Sequence, residues 1–355
     1  MLGIDAKAAR ATWTVFLVAL LVAAAYAIRE TLAVFVIALL FAYLLAPLVG
    51  FVERITPRLI SPRIALAIVY LSLVGAIVAL ALTLGSRLAD EANTLAMRLP
   101  ALVKNPDWMQ RIPLPSWLEP ARAGMIQKVQ DELSSGGEEI LPYVKGLGGQ
   151  LVSGAKYALY LVLTPILAFF FLKDGATMRD EFVVGLVEER RRPVVESILE
   201  DINRLLGEYI RALVLLSAAS FTANNFFLGL SGAPYAVLLA GVAALGEFVP
   251  VVGPAAGGLI VLLVTSLSGY NHVFLYVIFW LLYRLVQDYV LSPYLMGKGV
   301  QLNPMLVLFG VLAGEQIGGV LGMFLSVPVL AILRVVFIRL RRVRAGALVV
   351  PQTEL

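Results

Sequence analysis

The second half of the chain holds two stretches almost free of charge, each too long for one membrane helix and each interrupted by a lone carboxylate beside Gly or Pro. Between Ala212 and Tyr283 the only acid or strong base is Glu247, set in Gly246-Glu247-Phe248-Val249-Pro250-Val251-Val252-Gly253-Pro254. That string cannot continue a helix cleanly, because Pro removes a backbone donor and clashes with the preceding turn. From Gly299 to Leu333 the only one is Glu315, in Gly314-Glu315-Gln316-Ile317-Gly318-Gly319. Paired, Gly/Pro-interrupted apolar segments are the sequence pattern of a secondary transporter's substrate site.

Composition sets the solvent. With 60% hydrophobic and 15% charged residues and a mean hydropathy of +0.89, the chain lies outside the soluble globular range, where charged residues make up about a quarter. An all-α integral membrane protein is expected. The net charge of +4 comes largely from clusters beside apolar segments, such as Arg339, Arg341, Arg342 and Arg344, so it reports orientation in a membrane rather than affinity for nucleic acid. The absence of cysteine and the single histidine, His272, remove Cys-ligated metals and His-pair zinc motifs, and no cofactor is expected. Ala25-Tyr26-Ala27 resembles a signal-peptidase site, but a second apolar segment follows after Arg29 and Glu30 only, which favours an uncleaved first span.

About eight membrane segments are predicted. Ala11 to Ile28, Thr31 to Val52, Ile64 to Ser86, Tyr157 to Leu172 and Ala212 to Leu230 each approach the 20 or so apolar residues that a spanning helix needs, and a sixth runs from about His272 to Val290. The fourth is short, and extends backward through Lys156 into 151–154. Lys7 and Arg10, then Arg54, Arg58 and Arg63, then the arginines after Leu333 mark cytoplasmic ground by the positive-inside rule, which puts both termini inside. The expected divisions are a three-helix region at 1–86, an extracytoplasmic helical insertion at 87–156, the fourth segment at 157–172, a cytoplasmic amphipathic segment at 173–207, a transport core at 208–340 and a tail at 341–355. Leu88, Leu95, Leu99 and Leu102 fall near helical spacing and read as part of a small helical cap. Pro193 suits a helix start. Val195, Ile198, Leu199, Ile202, Leu205, Leu206 and Tyr209 form one apolar stripe running directly into the fifth span, and Glu200 can pair with Arg204 on the other face.

The interrupted segments, 232–267 and 303–333, are read as two re-entrant hairpins. Each arm is about 12 residues, or some 18 Å, which reaches only part way through a core of about 30 Å. Irregular backbone at that depth survives only where it is buried in protein or lines a cavity, so the breaks are expected to meet near the midplane. Glu247, Pro250, Gly253, Pro254, Glu315, Gln316 and Asn303 are the candidate substrate- or ion-binding residues, and Arg284, Gln287 and Asp288 the candidate gating or coupling group. A carboxyl held away from water offers a proton to exchange during a cycle. The alternative for either glutamate is a place in the headgroup layer or a pair with Arg284. Arg284 and Asp288, spaced i,i+4, also suit a plain intrahelical salt bridge, and Asn224 and Asn225 suit hydrogen bonds between helices.

Four strings in order, Pro165-Ile166-Leu167-Ala168-Phe169-Phe170-Phe171-Leu172-Lys173-Asp174-Gly175, Pro250-Val251-Val252-Gly253-Pro254, Pro293-Tyr294-Leu295-Met296-Gly297-Lys298 with Leu302-Asn303-Pro304, and Gly322-Met323-Phe324-Leu325-Ser326-Val327-Pro328, resemble the autoinducer-2 exporter family. The resemblance covers nearly the whole chain and implies a bacterial inner-membrane protein of about eight segments with an insertion after the third. It further implies export of an autoinducer-2-like signal or, for some members, sodium/proton antiport. Members often carry Gly-Gln where this chain has Ala212-Leu213, His where it has Asn303, and apolar or small residues near Glu315. The lipid bilayer and a small polar solute or ion (H+ or Na+) are the expected partners, nucleic acid is not, and the sequence leaves a homo-oligomer open. No G-x-x-x-x-G-K-[ST] motif occurs, so a proton or sodium gradient is the expected energy source. A non-transporting scaffold is the reading from another class. An enzyme is not expected, because no Ser-Lys or paired-Asp combination lies within an apolar segment.

Overall fold

The computed structural model describes residues 6–55, 62–104, 119–121, 124, 127, 155–296 and 302–344, which form helices joined by short turns, with no strand among them. The α-helices are α1 (Ala6–Ala27), α2 (Arg29–Ile55), α3 (Pro62–Lys104), α4 (Ala155–Leu186), α5 (Arg192–Leu230), α6 (Ala236–Gly246), α7 (Val252–Leu267), α8 (Val273–Val286), α9 (Ser292–Met296) and α10 (Pro304–Arg344). Five helical stretches among the described residues are long and apolar enough to cross a membrane: Arg29–Gly50, Tyr70–Leu99, Glu189–Leu230, Val273–Leu295 and Pro304–Arg341. Thr12–Ala27, α6 and α7 are shorter apolar helices. Much of the extended insertion expected at 87–156, the backward extension of the fourth segment and Lys298 lie outside the described residues.

Two compact units divide the chain. In the first, residues 1–70 with 155–178, the Tyr70 hydroxyl donates to the Pro165 carbonyl and the Tyr70 ring meets Phe169 edge-on, 5.4 Å between centroids. Phe35 on α2 meets Phe171 on α4 in the same way at 6.2 Å. Buried Val34, Ala38, Ala42, Leu45 and Val49 recur every three or four residues along α2, the stripe that a helix must hide.

The second unit, residues 71–154 with 179–355, carries the breaks. Here α3 continues past residue 86 as one helix to Lys104, and Leu88, Ala92, Leu95, Leu99 and Leu102 pack on a core with Leu228, Leu238, Leu239, Val261 and Tyr276. The leucines expected in a cap thus lie on the continuation of α3, a helix long and apolar enough to cross a membrane. Glu91 Oε2 accepts the Leu238 N–H at 2.8 Å, satisfying a free amide in the first turn of α6, whose own cap residue Tyr235 is left-handed and offers no side-chain bond. Helix α4 likewise runs on past Leu172 to Leu186. Pro193 stands in the first turn of α5, which continues unbroken from Arg192 to Leu230.

One local expectation fails. Arg204 pairs with Asp201 at 3.1 Å, not with Glu200, because Asp201 lies on the inner side of α5, where it also takes a two-pronged contact from Arg339 at 2.5 and 2.8 Å. Two guanidinium groups converging on one carboxylate outweigh a solvated i,i+4 pair.

Candidate functional site

The chain turns back on itself at both breaks. Helix α6 ends at Gly246 and α7 begins at Val252, and the backbones touch where they cross. A Cβ on Gly253 would collide with the Gly246 carbonyl oxygen, and one on Gly257 would come within 3.2 Å of Ala243 Cα. Only glycine admits that approach. The turn itself is strained: Val251 has φ 67° and ψ −57°, and the Val252 amide donates to the Pro250 carbonyl at 2.7 Å, a three-residue γ-turn of the positive-φ kind that a β-branched residue rarely adopts.

The second break follows the same plan. Helix α10 loses helical geometry at Gly318 (φ −141°, ψ 17°) and Gly319 (φ 59°, ψ −140°), and reverses. A Cβ on Gly314 would collide with the Gly322 carbonyl oxygen, and one on Gly310 would press on Leu330 and Ser326. In each hairpin the glutamate directly follows the first glycine of the crossing: Gly246-Glu247 against Gly253, Gly314-Glu315 against Gly322. Phe248 of the first meets Phe324 of the second at 5.8 Å.

A cavity of about 200 Å³ opens at the tip of the first hairpin. Glu247, Pro250, Val251 and Pro254 form one wall, Tyr209, Leu213 and Leu216 of α5 a second, and Arg284, Gln287 and Ser292 a third; Leu302, Val307 and Val327 complete it. Glu247 is 8% exposed. Gln287 Nε2 donates to Glu247 Oε2 at 2.5 Å, and Arg284 Nη1 lies 3.8 Å from the same oxygen while Nη2 holds Asp288 at 2.9 Å. Arg284 therefore does both things considered for it, bridging along its own helix and facing the carboxylate. A guanidinium serves two carboxylates because its five donors form a fixed fork.

The placement of Gln287 has a local cause. Residues Gln287–Leu291 form one turn of π-helix, closed by the Ser292 amide bonding to the Gln287 carbonyl. Pro293 follows, lacks an N–H, and would press on the carbonyl four residues back in a regular helix, so the wider turn relieves the clash. The insertion aims Gln287, 2% exposed, at the hairpin.

Not every candidate converges here. Gly253 is buried at the crossing rather than in the cavity wall. Glu315 and Gln316 lie near the turn of the second hairpin, exposed, and do not line the cavity. Asn303 is a helix cap, its Oδ1 accepting the Met305 amide at 2.9 Å, with Pro304 next to it. Asn224 links helices: Nδ2 donates to the Ser220 carbonyl at 2.9 Å and Oδ1 accepts from the Tyr276 hydroxyl at 3.3 Å. The sequence places Tyr209 in an apolar stripe, yet its hydroxyl, buried and without a hydrogen-bond partner among the described residues, belongs to a residue of the cavity wall. A lone phenol in an otherwise aliphatic stripe was the signal for it.

Few polar groups around a mostly apolar cavity of this size suit a small solute, well below the roughly 300–1,000 Å³ typical of sites for larger ligands. Comparison with known proteins agrees with a membrane transport role. Residues 15–342 match the family described as "AI-2E family transporter". The chain is 23% identical over 314 residues to the Bacillus subtilis protein named "Putative transport protein YueF", a match covering 84% of this chain and 81% of that one. It is 28% identical over 188 residues to "Putative transport protein YrrI" of the same organism, about half of each chain at 53%. With "Putative permease PerM" of Escherichia coli it shares 25% identity over 258 residues, 71% of this chain and 66% of that one. The chain, a multi-pass α-helical membrane protein, belongs to the AI-2E family of transporters.

Proposed function

We propose that the chain is a secondary transporter that exports a small polar solute, of the autoinducer-2 kind by its family, across the bacterial inner membrane, using a proton or sodium gradient. The observation that carries this reading is the buried Glu247, held by Gln287 and Arg284 in the wall of a cavity where a helical hairpin turns back. Helices α6 and α7, about 16 and 24 Å long at 1.5 Å per residue, are too short to cross a core of about 30 Å, which supports a re-entrant hairpin with its tip in the membrane. In that setting Glu247, Gln287 and Arg284 offer the solute both acceptors and donors. Alternate exposure of the cavity to the two sides would move it, and exchange of the ion partner of Glu247 would couple the gradient.

Sodium/proton antiport is the second reading. It is favoured by the carboxylate–guanidinium pair itself, since a carboxylate released from Arg284 can take a proton or a sodium ion in its place. The test is flux in proteoliposomes, with autoinducer-2 loaded inside in one arm and an imposed sodium gradient with an internal pH dye in the other. The Glu247→Gln variant keeps the shape of the side chain and removes its charge. The expected result is solute or ion flux in the wild type and at least a tenfold loss of gradient-driven flux in the variant. Equal gradient-driven flux in both would reject a coupling role for Glu247.

A further inference from the structure

Glu247 stands between two chambers. On one side is the cavity described above. On the other, between α5, the first hairpin and α8, is a chamber of about 10 Å³ whose lining includes Ser220, Tyr283, Arg284 and Gln287 as well as Glu247. A volume of about 10–15 Å³ is what one water needs, provided two to four polar partners surround it.

The polar inventory meets that condition. Tyr283 Oη, Arg284 Nη1 and Gln287 Oε1 are all buried and lack a well-aligned hydrogen bond among the described residues, although Ser220 lies beside the Tyr283 hydroxyl and Glu247 Oε2 is 3.8 Å from Nη1. Gln287 is 2% exposed and spends its Nε2 donor on Glu247, which leaves its carbonyl oxygen free to accept. Leaving such groups unpaired away from water is costly, and the three residues that carry them all line this one small chamber.

We propose that this chamber is a binding site for a single water molecule, held by Tyr283, Arg284 and Gln287 behind Glu247. A water has two protons to give and two lone pairs to offer. It accepts from Arg284 Nη1–H and from the Tyr283 hydroxyl, and it donates to Gln287 Oε1 and to Glu247 or the Ser220 hydroxyl, so every partner is used once. A sodium or potassium ion has the right size but the wrong neighbours: Arg284 presents N–H groups and positive charge to the chamber, and neither can ligate a cation. The chamber shares Glu247, Pro254, Arg284 and Gln287 with the larger cavity and differs from it in its Ser220, Asn224 and Tyr283 side, and it does not rest on the transport reading. Its consequence is that the Arg284 fork is fixed by three partners, Asp288, Glu247 and the water.

The test is a map of the full chain, in lipid nanodiscs containing sodium, at about 2 Å resolution or better, together with the Tyr283→Phe variant. One peak is expected at about 2.6–3.2 Å from Tyr283 Oη, Arg284 Nη1 and Gln287 Oε1, the range of ordinary hydrogen bonds. It should not strengthen when thallium replaces sodium, and it should vanish or fall to noise in Tyr283→Phe with the helices superimposing. No peak in the wild type overturns the proposal, as does a peak that gains thallium scattering or persists unchanged in the variant. Should Tyr283→Phe fail to fold, the wild-type maps in sodium and thallium decide alone.

Discussion

Removing Arg284 should harm the protein more than removing the charge of Glu247, and removing both should harm it less than removing Arg284. The asymmetry follows from the partners. Glu247 is buried, and Arg284, at 3.8 Å, is its only cationic neighbour among the described residues, whereas Arg284 also has Asp288 at 2.9 Å. Taking one partner from a fully buried pair costs about 3–5 kcal/mol, because the other charge is left uncompensated. The Arg284 side chain is 30% exposed, so water replaces part of what is lost, and about 2 kcal/mol is the expected cost of Arg284→Met. Glu247→Gln leaves no stranded charge and retains an acceptor for Gln287, and should cost about 1 kcal/mol or less. In the double variant the stranded carboxylate is gone, so a coupling of about 1 kcal/mol should return. Reversible unfolding in mixed micelles gives all four stabilities. An Arg284→Met variant as stable as the wild type, or a double variant no more stable than Arg284→Met, would refute the buried-pair reasoning.

Val251→Gly should be neutral or stabilise by up to about 1 kcal/mol in the same assay, since it relieves a positive φ in the turn, whereas a loss of about 1 kcal/mol would show the γ-turn to be unstrained. Gly253→Ala should destabilise by at least about 1–3 kcal/mol and reduce flux, because its methyl must push the two hairpin arms apart, while Gly229→Ala, with open space around it, should do neither. Asp201→Asn leaves Arg339 and Arg204 facing each other's charge without a carboxylate between them, and should lower the melting temperature unless Arg339→Met is added.

What the sequence made legible was the pattern of breaks, because Pro and Gly act through the backbone and need no tertiary context. The turn at 246–254, the Gly318-Gly319 reversal, the start of α5 at Pro193 and the pair Arg284–Asp288 all follow from local chemistry. What stayed hidden depends on contacts far apart in sequence. The crossings of Gly246 with Gly253 and Gly314 with Gly322 require knowing that the arms touch, although the repeated Gly-Glu dipeptide hinted at it. The choice of Asp201 over Glu200 as partner of Arg204 was made by Arg339, more than 130 residues away. The length of α3 was obscured because Arg87, Asp90 and Glu91 look like the end of a span, yet Glu91 is used to cap α6. The sequence already favours Glu247, which adjoins the Pro-Gly-Pro break, over Glu315, which departs from the usual pattern of the resembling family; what it does not reveal is that α8 supplies Arg284 and Gln287 to Glu247.

The most direct measurement of a transport route at Glu247 uses the chain's lack of cysteine. Ser292→Cys puts the only thiol in the protein on the cavity wall. A charged, water-soluble methanethiosulfonate should label it in reconstituted vesicles, and the labelled protein should lose the autoinducer-2 or sodium-driven proton flux that the unlabelled variant shows, with recovery on reduction. Flux that persists unchanged after complete labelling would contradict a route through this cavity.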